Sequence, residues 1–240
     1  MPAFTLYGAR GSTNTDRVRL TLAEGGFKDY ELVHLDLRKG EQKVRNHLGT
    51  HVIASADLEF QADEHMRRNP WGKVPVLAFP DGFNLAESRA ISLYLAQKYS
   101  FPLLPPHSDI DAMALFDQAQ SVETCYFAEP AGRIAFEKFA KKLMGMPANE
   151  AIVSDAIQAL ERFFDTAETL LQRSGYMAGD NFTLVDIYYI PLMQRLFACG
   201  YGDLVVKRDA VRAWWERCVS RSAVQELIRS NQRAAAGARQ

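Results

Sequence analysis

Side chains that could activate a thiol stand together in the segment Gly11-Ser12-Thr13-Asn14, between an apolar run and a helical pattern. A cysteine at position 12 would form mixed disulfides, whereas the hydroxyl of Ser12 can only donate a hydrogen bond to a sulfur anion. Such a charge-assisted hydrogen bond contributes about 1.5–3 kcal/mol, and a helix N-terminus adds about 0.3–1 kcal/mol. Together they could lower the pKa of a bound thiol by about 1–3 units from its usual value of about 8.5. Ser12 is therefore a candidate thiol activator.

The same hydroxyl has a second interpretation, as the N-cap of the helix that follows. Thr13, Asn14 and Thr15 could hold that position equally well. Thr13 is also the neighbouring hydroxyl that could replace Ser12 in activating a thiol. The residues alone leave both choices open.

A candidate anion site lies further along the chain. The run Val74 to Phe79 predicts a buried strand, with Pro75 at its start, where the missing N–H is not needed. Pro80-Asp81-Gly82 indicates a turn before a second short strand at 83–85. Glu87-Ser88 then opens a helix, whose N-terminal N–H groups and dipole favour a bound anion.

The elements around both candidate sites predict a thioredoxin-like α/β domain. Strands are expected at 3–8 and 30–37 with a helix at about 16–25 between them, followed by the hairpin and its helix. The crossover implies a parallel pair and the hairpin an antiparallel one, so we expect a mixed four-stranded sheet. Residues 1–100 are assigned to this domain, and 101–107, which contain three prolines, to a linker.

Residues 108–240 are expected to form an all-helical (all-α) C-terminal domain. Apolar side chains recur at three- and four-residue spacing in six segments: 109–129, 132–144, 148–173, 183–199, 208–219 and 222–234. Thr183 and Asp186 are spaced as a capping box at the start of one of them, with Asp in place of the usual Glu or Gln. We expect this pair to be structural.

Composition argues against several classes of function. The chain of 240 residues is 48% hydrophobic, which is enough for one large or two modest cores. A formal net charge of -1 gives no electrostatic case for nucleic acid. The three dispersed cysteines fit a reduced, cytoplasmic setting. No signal-peptide pattern is evident, and no apolar run approaches the roughly 18 residues of a membrane span.

Several motifs resemble the glutathione transferases. Val74-Pro75, followed by a hairpin and by E-S-R-A-I from Glu87, is similar to the glutathione-binding half of that family. The string Y-G-A-R-G-S-T-N-T-D-R-V, from Tyr7, resembles the start of the serine-type phi class of plants and fungi, in which the serine occupies the position of Ser12. The string 179–187 resembles the family's helix-start motif, so the resemblance extends over both domains.

The resemblance implies roles at the anion site. Pro75 would follow a cis bond, so that Val74 would offer its backbone N–H and C=O to the cysteinyl part of glutathione. Glu87 would meet the γ-glutamyl ammonium, and Ser88 with the helix N-terminus would bind the γ-glutamyl carboxylate. The activating hydroxyl would be that of Ser12, with Thr13 as its substitute.

The glycyl carboxylate of glutathione would be bound by a different set of residues. Lys43 would neutralise it, and Gln42, which stands where histidine is usual in the phi class, could only hydrogen-bond it. Lys73 occupies a position where that class often has glutamine. A polar segment at 44–68 is longer than the family pattern, and we expect it to be an insertion in this domain.

An electrophile pocket is implied between the two domains. Its candidate residues are Ala9 and Arg10 from the first domain and Phe116, Tyr126 and Phe127 from the first long helix of the second. Aromatic residues at helical spacing can equally well belong to a core.

The resemblance implies a glutathione transferase of the detoxification type. It would join the glutathione thiolate to small hydrophobic electrophiles, or let it attack a peroxide oxygen. Glutathione would be the co-substrate, with no metal, no nucleic acid and no membrane involved, and the protein would be a homodimer. The alternative is a non-catalytic, ligandin-like or regulatory protein on the same fold. Thiol reduction is disfavoured because no cysteine stands at position 12.

Overall fold

The structure is a computed structural model that describes residues 1–36 and 63–237, with side chains described to residue 233. The chain divides into two compact units. The first is Met1–Ser100 together with Leu227–Gln240, and the second is Phe101–Glu226.

The sequence assigned 101–107 to a linker, but Phe101 and Leu103 are buried, and the Leu103 carbonyl accepts from Leu184 N–H at 3.0 Å. The chain from Leu227 onward, expected in the helical domain, is instead part of the first unit.

The first unit is built on a four-stranded sheet of β1 Thr5–Gly8, β2 Glu31–His34, β3 Val76–Ala78 and β4 Asn84–Ala86. The strands lie in the order β2-β1-β3-β4. β1 pairs in parallel with β2 and antiparallel with β3, which in turn pairs antiparallel with β4. The predicted mixed sheet is therefore confirmed. Each strand is shorter than its predicted range or offset from it.

Two helices of this unit each follow a strand of the sheet. α1 runs over Thr13–Glu24 and α3 over Ser88–Lys98, while residues 63–68 form α2. α1 and α3 bury apolar side chains such as Val18, Leu22, Ile91 and Leu95, which are all 0% exposed. Both helices therefore contribute to the core of this unit.

The second unit is helical, as predicted. Its helices, with the last one continuing into the first unit, are α4 Ile110–Val122, α5 Glu129–Ala135, α6 Lys141–Leu143, α7 Glu150–Leu171, α8 Leu184–Ala198, α9 Asp203–Val206, α10 Asp209–Ser220 and α11 Ser222–Gly237. Two π-helical stretches, Glu123–Ala128 and Phe136–Ala140, join α4, α5 and α6. In the described part of the chain no helix combines the length and apolar character needed to cross a membrane.

The predicted capping box at the start of α8 is confirmed and extended. Asp186 is fully buried and accepts hydrogen bonds from the N–H groups of Thr183 at 2.9 Å and Met177 at 3.1 Å. It also accepts from Trp214 Nε1 at 2.9 Å, a contact that the sequence spacing did not predict. Burial raises the pKa of this carboxyl, and the hydrogen bonds oppose that shift. One side chain thus ties α8 to α10 and to the preceding turn.

The helical unit has an aromatic core, and this corrects two of the proposed pocket residues. Phe127 has no exposed surface and packs within 5.4 Å, ring centre to ring centre, of Phe163, and within 4.8 Å of Tyr189. Phe116 is also fully buried. A side chain without exposed surface cannot line an open pocket, so both leave the set of candidates. Tyr126, which is 64% exposed, remains.

Candidate active site

The sheet brings the separate candidate segments to one of its ends. Tyr7, next to the end of β1, pairs with Val76 at the start of β3, and Val76 pairs with Ala86 at the end of β4. The segments that leave the sheet there are the loop 9–12, residues 74–75 and residues 87–88. Candidates that are about 75 residues apart in the chain therefore meet at the same edge.

Ser12 is the N-cap of α1, as the second interpretation expected. Its backbone is extended, with φ -77 and ψ 119, and its Oγ accepts from the N–H of Thr15 at 3.3 Å. A hydroxyl can accept and donate at once, so this cap leaves the O–H proton available. The capping and thiol-activating interpretations are therefore compatible. Thr13 is already the first residue of α1.

A close approach between β1 and α1 fixes the position of this hydroxyl. Thr15 is fully buried, and its Oγ1 accepts from the N–H of Ala9 at 3.1 Å. A Cβ on Gly8 would lie 2.4 Å from Thr15 Cγ2, so this strand end has room only for glycine. The hydrogen bond from Ala9 to Thr15 and the close packing of Gly8 against Thr15 thus fix the turn that carries Ser12.

The two helices that start at this edge run parallel to each other. Arg17 of α1 contacts Ser88 of α3 at 2.7 Å, and one turn later Thr21 Oγ1 donates to Ser92 Oγ at 2.9 Å. Because the pairing advances in the same direction along both helices, their N-termini lie at the same end. Two partial positive charges of helix dipoles therefore face the candidate site.

A buried guanidinium that is not among the predicted site residues supports Ser88. Arg17 is only 1% exposed, and its Nη1 donates to Ser88 Oγ and to Asn14 Oδ1, each at 2.7 Å. A cation below a hydroxyl at a helix N-terminus suits a carboxylate ligand. Asn14, Arg17 and Thr21 are three and four residues apart and therefore lie on one face of α1, but on a helix this polar the spacing does not indicate that Arg17 is buried.

Glu87 has an unusual backbone conformation. Its φ is 67 and its ψ is 111, which is a left-handed region that a residue with a side chain rarely adopts. Conformations of this kind cost about 1–3 kcal/mol and persist where the surrounding structure holds them, often at functional sites. The side chain is exposed at the start of α3, beside Ser88.

The bond between Val74 and Pro75 is cis, as the resemblance implied. Among the described residues, neither the N–H nor the C=O of Val74 has a hydrogen-bond partner. The preceding carbonyl, that of Lys73, accepts from Asn69 Nδ2 at 2.9 Å and from His65 Nε2 at 3.0 Å. The Val74 backbone is therefore available to a ligand, on a loop that two side chains hold in place.

His65 is a positioning residue that the sequence did not reveal. Its ring is fully buried, and because a carbonyl can only accept, Nε2 carries the proton that it donates to Lys73. Its Nδ1 is buried without a partner among the described residues. Burial lowers the pKa of His65; the hydrogen bond to Lys73 opposes this shift, and the charge of Arg68 adds to it.

We expect the wild-type protein to lose stability relative to His65→Gln as the pH falls below about 6.5, the pKa of an unfolded histidine. The folded pKa lies below the unfolded one, so the unfolded chain binds the extra proton in this window. Urea unfolding at a series of pH values measures the difference. The exposed His107 provides the control His107→Gln, which should follow the wild type. Parallel curves for wild type and His65→Gln would contradict the expectation.

The remaining predicted site residues have different outcomes. Gln42 and Lys43 lie outside the described residues, as does most of the segment 44–68, of which 63–68 belong to α2. The side chain of Lys73 is exposed, next to the cis bond. Ala9 is 2% exposed and Arg10 is exposed, both in the turn before Ser12.

The fold and the site together define a class, a thioredoxin-like protein that has a serine hydroxyl at the start of its first helix. Two family models match the chain: "Glutathione S-transferase, N-terminal domain" over residues 6–106 and "Glutathione S-transferase, C-terminal domain" over residues 119–222. The chain is also 35% identical to Glutathione S-transferase PM239X14 of Arabidopsis thaliana, over 90% of this chain and 91% of that protein.

Solved structures agree with these matches. The crystal structure of glutathione transferase F7 from Populus trichocarpa has a TM-score of 0.82 at 29% identity, covering 94% of this chain and 98% of that one. Maize glutathione S-transferase I, solved with an atrazine glutathione conjugate, has a TM-score of 0.79 at 29% identity, covering 94% and 96%. The chain belongs to the glutathione S-transferase family, and within that family it is phi-like.

Proposed function

We propose that this protein is a glutathione transferase that joins glutathione to small hydrophobic electrophiles. The observation that carries the proposal is the hydroxyl of Ser12. It caps α1 through a lone pair, retains its O–H for a thiolate, and lies at the same sheet edge as the cis bond before Pro75 and the start of α3. Membership of the family supports the same reaction.

Each part of glutathione has a chemically suitable partner at this edge. The unpaired backbone of Val74 would form two hydrogen bonds with the cysteinyl unit, which places the sulfur near Ser12. Ser88, with Arg17 below it, would bind the γ-glutamyl carboxylate, and Glu87 would pair with the γ-glutamyl ammonium. For the glycyl carboxylate we propose Lys43, Gln42 and Lys73.

In the reaction, Ser12 donates its hydrogen bond to the sulfur of the bound glutathione. The thiol proton passes to solvent, because the hydrogen bond and the dipole of α1 favour the thiolate. The thiolate attacks an electrophilic carbon, a carbon–sulfur bond forms, and the leaving group departs with its electron pair. With a hydroperoxide, the thiolate instead attacks the terminal oxygen, the O–O bond breaks, and the alkoxide leaves and is protonated to the alcohol. A second glutathione thiol then attacks the resulting sulfenic acid, which gives glutathione disulfide and water.

The test is turnover of chlorodinitrobenzene with glutathione, measured as formation of the coloured conjugate. We expect turnover that depends on both compounds and saturates with glutathione. Retention on immobilised glutathione without turnover of this or other aryl halides would contradict the proposal and favour the ligandin-like or regulatory alternative. A hydroperoxide as second substrate shows whether peroxidase activity accompanies the transfer.

We also propose that the protein is a cytoplasmic homodimer. In the first unit, Trp71 is 78% exposed and Phe83 is 44% exposed, which is unusual for side chains of this size. Trp71 lies on the loop 69–74, where its backbone N–H donates to Asn69 Oδ1 at 3.2 Å, so the backbone that carries the exposed ring is held in place. The three cysteines, which are all free, fit a reducing compartment.

We expect Trp71→Glu to shift the protein from dimer to monomer, because a charge would have to be buried in place of an indole ring. Light scattering coupled to gel filtration measures the change, from about twice 27.0 kDa to about 27.0 kDa. Trp71→Phe keeps an apolar ring and is the control, which should remain dimeric. A monomeric wild type, or a dimeric Trp71→Glu, would contradict the proposal.

A further inference from the structure

The first unit contains a basic cleft that no step of the proposed reaction uses. It has a volume of about 340 Å³ and is lined by Arg10, Arg19, His34, Ser230, Asn231 and Arg233. This volume is at the lower end of the range of about 300–1,000 Å³ that small-molecule sites occupy. Three guanidinium groups around one small cleft favour an anion, because the planar donors of arginine match the two oxygens of a carboxylate.

The cleft is separate from the γ-glutamyl site. Arg17, which supports Ser88, faces α3, whereas Arg19 is two residues further along α1 and therefore about 200° around the helix. His34 is the last residue of β2, which is one edge strand of the sheet, whereas β4 is the other edge strand. The cleft thus lies on the other side of α1 from the Ser88 site.

The walls of the cleft are held in place by a hydrogen-bonded network. Arg19 donates to Asp16 at 2.9 Å, to Asn231 at 3.2 Å and to Ser230 at 3.1 Å. Asn231 Nδ2 in turn donates to the second oxygen of Asp16 at 2.8 Å, and Asp16 is only 5% exposed. The C-terminal helix α11 is therefore fixed against α1, and it carries Arg233 to the same cleft.

Arg10 is the cation of the cleft that is best placed to bind a ligand. It is exposed, and among the described residues it makes no ion pair or hydrogen bond. Burial lowers the pKa of His34, and the charges of Arg10 and Arg19 lower it further, which indicates that the positive potential of both reaches this point. Arg10 is two residues before Ser12, so their Cα atoms are at most about 7.6 Å apart.

We propose that this cleft binds the carboxylate of an acidic electrophile, so that the preferred second substrates of the protein are organic carboxylates. This inference rests on the proposed function, and it specifies the class of substrate. Arg10 binds the carboxylate, with Arg19, Arg233, Ser230 and Asn231 forming the rest of the anion site. An electrophilic carbon a few bonds away from that carboxylate then lies close to the thiolate at Ser12.

The first test compares two substrates of similar shape and different charge, chlorodinitrobenzoate and chlorodinitrobenzamide, and each kcat/KM is divided by the rate constant of the uncatalysed reaction because the two substituents activate the ring to different degrees. In both reactions the thiolate forms a bond to the ring carbon, the C–Cl bond breaks, and chloride leaves with the electron pair. We expect a higher kcat/KM for the carboxylate, and we expect Arg10→Gln to reduce the ratio of the two kcat/KM values roughly tenfold. Arg162→Gln removes the same charge from an exposed site in the helical unit and should leave the ratio unchanged.

The second test measures binding without catalysis. Chlorodinitrobenzoate, added without glutathione, should raise the pKa of the His34 imidazole because a bound anion favours the imidazolium. Proton NMR follows this titration, with His34→Gln used to assign the resonance, and the carboxamide should leave it unchanged. An unchanged His34 titration, together with an unchanged kcat/KM ratio in Arg10→Gln, would overturn the carboxylate site.

The two tests also separate this inference from the proposed function. If both compounds are conjugated with equal efficiency in wild type and Arg10→Gln, the transferase activity stands and the carboxylate site is wrong. If neither compound is conjugated, the proposed function fails, and the NMR titration still decides whether the cleft binds the anion.

Discussion

Replacing Ser12 by alanine is expected to reduce kcat/KM for glutathione and an aryl halide about ten- to hundredfold. The variant loses a hydrogen bond to an anion, which contributes about 1.5–3 kcal/mol, and tenfold in rate corresponds to about 1.36 kcal/mol. The pKa of enzyme-bound glutathione should rise by about one to two units for the same reason. The ultraviolet absorbance of the thiolate, followed as a function of pH, measures that shift directly.

Two control variants separate activation of the thiol from capping of the helix. Ser12→Ala also removes the cap on α1, which costs about 1 kcal/mol of stability, whereas glycine as N-cap costs only a few tenths. Ser12→Gly should therefore be as inactive as Ser12→Ala but close to the wild type in stability. Thr13→Ala should retain most of the activity. Activity that survives Ser12→Ala and disappears in Thr13→Ala would assign the activating hydroxyl to Thr13.

Replacing Asp186 by alanine is expected to destabilise the protein by about 3–5 kcal/mol. The variant would leave the N–H of Thr183 and the indole N–H of Trp214 buried without acceptors, and it would remove the acceptor of the partly buried N–H of Met177. Each unsatisfied buried donor costs about 1–3 kcal/mol. At roughly 2–4 °C per kcal/mol for a chain of this size, the melting temperature should fall by about 6–20 °C.

Differential scanning calorimetry measures this loss, and the chain provides suitable controls. Asp186→Asn keeps one acceptor oxygen and nearly the same volume, so it should lose less stability than Asp186→Ala. Asp155, which is exposed on α7, gives the control Asp155→Ala, which should change the stability by less than about 0.5 kcal/mol. A loss below about 1 kcal/mol in Asp186→Ala would mean that Asp186 does not hold α8 and α10 together.

The sequence predicted those parts of the site that depend on short-range signals. The hydroxyl-rich turn around Ser12 and the strand-turn-strand-helix unit before Ser88 each lie within a few residues of the groups that determine their conformation. The capping box at Thr183 and Asp186 is of the same kind. Local hydrogen bonds and turn preferences determine such features, so they can be read from a single sequence.

The supporting contacts could not be predicted in the same way. Arg17 and Ser88 are 71 residues apart, and nothing local indicates that this arginine is buried. The hydrogen bond from His65 to Lys73 depends on how the loop before the cis bond folds back. The bonds from Arg19 to Ser230 and Asn231, which place the last helix with the first unit, span more than 200 residues. Only the tertiary fold determines contacts of this range.

Helical periodicity also could not distinguish a pocket from a core. Phe116 and Phe127 occur at the spacing expected of either, and in the structure both are fully buried. The short helix α9 was missed because four residues are too few to show a period. The pattern thus predicted which faces are apolar, but it did not predict what covers them.

The backbone at Glu87 implies a trade-off between thermal stability and substrate affinity. Glycine adopts that conformation without a steric penalty, and after allowing for its greater freedom in the unfolded chain it should still make the protein roughly 1 kcal/mol more stable. The same change would remove the carboxylate proposed to hold the amino group of glutathione. Screening this protein for heat resistance alone would therefore tend to select glycine at residue 87, and the selected variants would bind glutathione more weakly.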